Sequence, residues 1–140
     1  MKIVLPVDGS EFTKKAIAFL VTHENLCGPD VELIVLNVQP PMPPRVRSMV
    51  GSEAVKEYHQ EEAGKVLKPI ERFLNKHKLN FRSSWSVGSA AQEVLKIVEK
   101  EQAHMIVMGT HGHGLLGRAV MGSVAQRVVA DAHVPVLLVK

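Results

Sequence analysis

Short runs of almost continuous apolar, β-branched residues alternate along this chain with stretches whose apolar positions recur at helical spacing. The runs are KIVLPV (2–7), VELIVLNV (31–38), AHMIVMG (103–109) and VPVLLV (134–139), with a weaker, alternating NFRSSWSV at 80–87. Between them, residues 10–24 set Phe12, Ala16, Phe19, Leu20 and His23 on one helical face. Residues 52–78 repeat Val55, Tyr58, Ala63, Val66, Leu67, Ile70, Phe73 and Leu74 at the same period. Segment 89–102 offers Ala91, Val94, Leu95 and Val98, and segment 123–132 offers Val124, Val128, Val129 and Ala132. Ser89 with Gln92 and Ser123 with Gln126 have the spacing of capping boxes, which mark helix starts. Pro69 lacks an amide and crowds the turn before it, so the longest helix is expected to kink there.

Strands that are apolar throughout are buried on both faces, and single helices between them favour a parallel sheet. Right-handed crossovers then lead to an α/β, doubly wound five-stranded parallel sheet with helices on both faces. The segment QPPMPPRVRSMVG (39–51) has four prolines and no period, and predicts an irregular, mobile loop. No repeat or composition shift divides the chain, so residues 1–140 are expected to form one domain. In such sheets ligands lie beyond the carboxyl ends of the strands. Those ends are Val7-Asp8-Gly9-Ser10, Asn37-Val38-Gln39, Ser86-Val87-Gly88 and Met108 onward.

Composition narrows the chemistry. With 46% hydrophobic and 22% charged residues, the chain resembles an ordinary globular domain. Its net charge of +3 is spread along the chain and only 4% of residues are aromatic, which disfavours a nucleic-acid partner. A lone Cys27 excludes an internal disulfide and fits a reducing cytoplasm. Met1 leads straight into the first strand, so neither a signal peptide nor a membrane segment is expected.

The stretch GTHGHGLLGRAVMGS (109–123) holds half of the chain's ten glycines. Glycine at that density is costly unless the backbone must turn sharply or approach something closely. Gly112, Gly114 and Gly117 match a dinucleotide fingerprint, GxGxxG. That fingerprint belongs after the first strand, with an acidic residue ending the next one. Here it follows the fourth strand, and Asp131 precedes the last strand rather than following it. No Gly-Lys-Ser/Thr forms a P-loop either. A wider pattern uses Gly109, Gly112, Gly122 and Ser123. In it the last pair opens a helix, whose free amides attract anions.

These residues resemble the universal stress protein family, in its nucleotide-binding branch. The resemblance spans essentially the whole chain and rests on IVLPVDGSEFTKKAIAFL, on MIVMGTHGHGLLGRAVMGSVAQRVVADAHVPVLLV, and on the order of elements. The family's pattern is Gly, two residues, Gly, nine residues, Gly, then Ser or Thr, and this sequence matches it without a gap. The resemblance implies a 3-2-1-4-5 strand order, with ATP between strands one and four. It implies that Asp8 and Gly109 hold the ribose, while the backbone of Val38 and nearby Pro6 and Val7 frame the adenine, with Met108 also among the binding residues. Gly112, Gly122, Ser123, Val124 and Ala125 would hold the phosphates, with His111 beside them and Mg2+ bound mainly through the phosphates. Ala125 departs from relatives with a threonine hydroxyl there. The resemblance also implies a homodimer joined through the last strand, an exposed edge that invites pairing.

Other features point to less. His111 and His113 form an H-x-H pair, but no nearby carboxylate or cysteine completes a metal site. His23, His59, His77, His104 and His133 are expected at the surface or at helix ends. A phosphoacceptor receiver would need acidic partners for Asp8 and an aspartate ending strand three, where Ser86-Val87-Gly88 stand instead. Arg45, Arg47 and Arg118 are candidates for steering an anion. The reading is a cytoplasmic ATP-binding stress-response module with no metal of its own and no membrane partner. The alternative is a slow ATP hydrolase or phosphotransferase using the same pocket.

Overall fold

The computed structural model describes residues 1–112 and 120–140. Its strands are β1 (Lys2–Pro6), β2 (Glu32–Gln39), β3 (Phe81–Val87), β4 (Met105–Gly109) and β5 (Val136–Val139). They form one sheet in the order β3-β2-β1-β4-β5, with every neighbouring pair parallel. The helices are α1 (Glu11–Thr22), α2 (Pro44–Val50), α3 (Ser52–Lys76), α4 (Ala90–Glu101) and α5 (Ser123–Asp131).

Side-chain alternation along the central strands builds two cores. Ile3, Leu5, Leu33, Val35 and Val107 face one way, against Ala16, Ile17 and Leu20 of α1 and Ala63, Leu67, Ile70 and Leu74 of α3. Val4, Ile34, Leu36, Ile106 and Met108 face the other way, against Ala91, Val94 and Val98 of α4 and Ala125 and Val128 of α5. This double burial explains why β1, β2 and β4 are apolar throughout rather than alternating. The chain leaves β1 toward β2 on one side and returns through α4 to β4 on the other. The ends of β1 and β4 therefore diverge and leave a crevice.

Several expectations need correction. The loop expected at 39–51 contains α2, which buries none of its residues and so leaves no apolar period in the sequence. In α3 the inward position belongs to His59, 3% exposed, while Tyr58 faces out. His59 is thus neither a surface nor a helix-end residue. His23 and His77 do cap helix C-termini, and the His104 ring accepts the Lys2 amide. In α5 the buried residues are Ala125 and Val128, with Val124 and Val129 exposed. Neither capping box forms. Ser89 is an N-cap without a side-chain cap bond, and Ser123 is the first helical residue after a Gly122 N-cap. Helix α3 continues through Pro69 to Lys76.

Candidate functional site

At the end of β1 the chain is fixed before it turns. The Val7 amide donates to the Leu36 carbonyl at 2.9 Å, and the buried Asn37 side chain donates to the Val7 carbonyl at 2.8 Å. Gln39 in turn donates to Asn37 Oδ1. The Asp8 amide then donates to Thr13 Oγ1, and the Thr13 hydroxyl donates to Asp8 Oδ1 at 2.8 Å. Asp8 Oδ1 also accepts the Ser10 amide across Gly9, whose φ of 78° is left-handed. Ser10 caps α1 by accepting the Thr13 amide. One oxygen of Asp8 is thus held by local donors, and the carboxylate has a fixed orientation.

The glycines after β4 answer specific neighbours. A Cβ on Gly109 would lie 2.6 Å from Phe12 Cβ and 3.0 Å from the Phe12 backbone. Gly109 is therefore what lets the first turn of α1 rest on the end of β4. A Cβ on Gly112 would lie 2.5 Å from Asp8 Oδ2, so any side chain there must displace that carboxylate oxygen. Between them, buried Thr110 donates its amide to the Val139 carbonyl, and its own carbonyl accepts the Gly122 amide at 2.8 Å. That bond draws the start and the end of the glycine-rich stretch together. Thr110 Oγ1 and His111 Nδ1 are 2.8 Å apart, and the His111 ring packs on Phe12 at 4.7 Å. His111 Nε2 is buried and has no hydrogen-bond partner among the described residues.

Helix α5 begins at the same place. Its first intrahelical bond runs from the Gln126 amide to the Gly122 carbonyl at 2.9 Å. The amides of Ser123, Val124 and Ala125 precede that bond and so have no intrahelical acceptor. They give the helix N-terminus its partial positive charge.

These pieces surround one cavity of about 670 Å³. Pro6, Val7, Asp8, Val38, Met108, Gly109, His111, Gly112, Gly122, Ser123, Val124 and Ala125 all line it. Thr13, Leu36, Val94 and Thr110 join them and were not legible as site residues. Leu36 and Val94 had signalled only core. Thr13 is needed because Asp8 must be oriented, and five residues of separation hide that pairing. His113, Gly114, Gly117 and Arg118, singled out in the sequence, lie outside the described residues. Among the described residues no group of three or more His, Cys, Asp or Glu is arranged to hold a metal ion. No helix among them is long and apolar enough to cross a membrane.

Comparison with known proteins matches this chain to a family. The family model described as "Universal stress protein family" matches residues 1–140. Universal stress protein MJ0531 of Methanocaldococcus jannaschii is 34% identical, over 99% of this chain and 81% of its own. The solved structure of the hypothetical protein MJ0577 superposes with a TM-score of 0.84 at 28% identity, over 99% of this chain and 94% of that one. A universal stress protein from Archaeoglobus fulgidus, solved in complex with dAMP, has the same fold at a TM-score of 0.72. It is 22% identical, over 100% of this chain and 98% of its own.

Proposed function

The chain belongs to the universal stress protein family, and on that premise we propose that its cavity is an adenine-nucleotide site. ATP is the proposed nucleotide, and its role is regulatory. One observation carries the reading. Amides without an intrahelical acceptor at the start of α5, a buried His111 Nε2 without a partner among the described residues and the oriented Asp8 carboxylate all border one cavity with an apolar wall.

Each part of the nucleotide has a matching surface. Leu36, Val38, Val94 and Met108 offer apolar contact to a flat base, with Pro6 and Val7 at its edge. Asp8 accepts from ribose hydroxyls, close to Gly109. The amides of Ser123, Val124 and Ala125, with the Ser123 hydroxyl, donate to phosphate oxygens. His111 Nε2 adds a donor there, and Gly112 and Gly122 keep side chains out of the approach. Ala125 supplies its amide alone. Mg2+ would be held mainly through the phosphates and would offset their charge, since Asp8 is the only carboxylate among the described lining residues.

Binding without rapid turnover fits this set of groups better than hydrolysis. Turnover needs a base or water-orienting group poised at the γ-phosphate. Asp8, with Oδ1 committed to Thr13 and Ser10, is assigned to the ribose instead. The module is proposed to act in stress response in the cytoplasm, as a homodimer paired along β5. Support for the pairing comes from the sheet edge. Ile106 and Thr110 donate to the carbonyls of Pro135 and Val139, so the ladder's alternation turns the Val136 and Leu138 amides outward. Mass spectrometry of gently purified protein should find co-purifying ATP. Calorimetry at millimolar ATP and Mg2+ with neither heat nor a thermal shift would overturn the nucleotide reading.

A further inference from the structure

A second cavity, of about 390 Å³, lies on the α3 side of the sheet, and the nucleotide reading does not use it. Its walls come from Pro41 and Met42 after β2, Arg47 of α2, Ser52, Val55, Lys56 and His59 of α3, and Trp85 and Val87 of β3. His59 is 3% exposed, yet its Nδ1 has no hydrogen-bond partner among the described residues. A buried ring nitrogen without a partner is costly, and a long α3 could have carried an apolar residue there at no loss. The ring centroid lies 5.4 Å from that of Tyr58 and 6.5 Å from that of Trp85. Arg47 and Lys56 line the same cavity, and neither has an ion-pair partner among the described residues. No carboxylate is among the described lining residues.

We propose that this cavity is a second ligand site, for a small monocarboxylate with an aromatic or branched apolar body. The carboxylate takes a hydrogen bond from His59 Nδ1–H in the cationic field of Arg47 and Lys56. The apolar body lies against Met42, Val55, Trp85 and Val87. The volume suits a ligand of this size, with a few placed polar groups in a mainly apolar wall. Opposite charges beside a desolvated donor select the anion over its neutral analogue. The site does not depend on the nucleotide cavity, so either reading can fail alone.

Trp85 is the chain's only tryptophan, so its fluorescence reports on this cavity directly. Titrating the full chain, without nucleotide, with 4-phenylbutyrate should give a saturable change with half-saturation at about 1 mM or below. The neutral 4-phenylbutyramide should bind at least about tenfold more weakly, as expected when a charge-assisted hydrogen bond is lost. His59→Phe keeps a ring but removes the donor, and should weaken the carboxylate by about tenfold. The double variant Arg47→Gln/Lys56→Gln changes exposed side chains and leaves the core untouched, so it tests the charge even if His59→Phe folds poorly. It should narrow the preference for carboxylate over amide. No saturable Trp85 signal at about ten times that concentration would overturn the proposal. So would equal binding of acid and amide, or full affinity in both variants.

Discussion

Asp8 and Gly112 occupy each other's space: a Cβ on Gly112 would come within 2.5 Å of Asp8 Oδ2. The acidic residue ending the first strand and the second glycine of the motif are therefore one device. Gly109 answers a different neighbour, Phe12, at 2.6 Å. The two glycines should fail in different ways. Gly112→Ala pushes on a carboxylate at the cavity and should weaken ATP binding with little change in melting temperature. Gly109→Ala drives a methyl into the first turn of α1 and should cost about 1–3 kcal/mol of stability. Paired calorimetry and thermal melts of both variants check this. Equal melting temperatures for the two would sink the distinction.

Thr13 should matter through Asp8. Its Oγ1 accepts the Asp8 amide and donates to Asp8 Oδ1. Thr13→Val keeps the shape and leaves a part-buried amide unpaired, which should cost about 1–3 kcal/mol. It should also loosen the carboxylate and weaken ATP. Asp8→Asn retains an acceptor toward Ser10 and Thr13, so its melting temperature should fall less than its ATP affinity. Loss of a hydrogen bond to a charged group corresponds to about 10- to 100-fold in affinity. A Thr13→Val protein with native affinity and stability would show that Asp8 needs no orienting partner.

The parallel sheet and both helical layers were legible because each buried strand is apolar throughout and each of α1, α3, α4 and α5 has a helical period, whereas the strand order follows only from the family resemblance. What escaped has particular causes. Helix α2 buries nothing, so it carries no apolar period to set against the four prolines. Tyr58 and His59 are adjacent, and hydropathy favoured the tyrosine for the inward place that His59 takes. The site glycines were visible, but their reasons were not. Phe12 and Asp8 come from the opposite end of the chain, and only the β1–β4 pairing brings them to Gly109 and Gly112. The sequence suggests Ser123 as a cap because a serine before a helix so often is one. Placed inside the first turn, it leaves the cap to Gly122.

Acid should act on the β3 edge. Arg82 bridges Glu32 and Glu101, which ties β3 to β2 and to the end of α4. Hydrogen bonds from Arg82 hold the Glu101 carboxyl below the ordinary glutamate value, and the charges of Arg82 and Lys2 add to this. A depressed native value means that the contribution is complete above the unfolded value, about pH 4.3, and fades as pH falls through the native one. The melting temperatures of wild type and Glu101→Gln should differ by a constant amount from pH 6 to 8. That gap should close below about pH 4.3. A gap of the same size at pH 3 would remove Glu101 as its source.

The dimer reading turns on which amides β5 leaves outward. Leu137 and Val139 point to β4, while Val136 and Leu138 point away. Val136→Pro should therefore spare the β4 ladder and still remove an edge donor, shifting a dimer toward monomer in sedimentation. Leu137→Pro would instead cut a bond to β4 and lower the melting temperature. A wild type that sediments as a monomer at high concentration contradicts the pairing.

The two glycine patterns in 109–123 share Gly112 and disagree about the rest. Gly122 decides between them because its backbone, at φ −60° and ψ 150°, suits any residue. Gly122→Val can keep both its amide bond to Thr110 and the start of α5. Any effect on binding then comes from the side chain in front of the helix amides rather than from backbone strain. ATP affinity should fall beyond detection while the melting temperature moves only slightly. Ser123→Ala, a neighbouring loss of one hydroxyl, should weaken ATP by about 1–3 kcal/mol. Gly114→Ala belongs to the shorter pattern alone and should be the mildest of the three. Each variant is to be titrated with ATP and with NAD. If Gly114→Ala destroys binding, or NAD binds where ATP does not, the short fingerprint is the working one and the phosphates do not lie at α5.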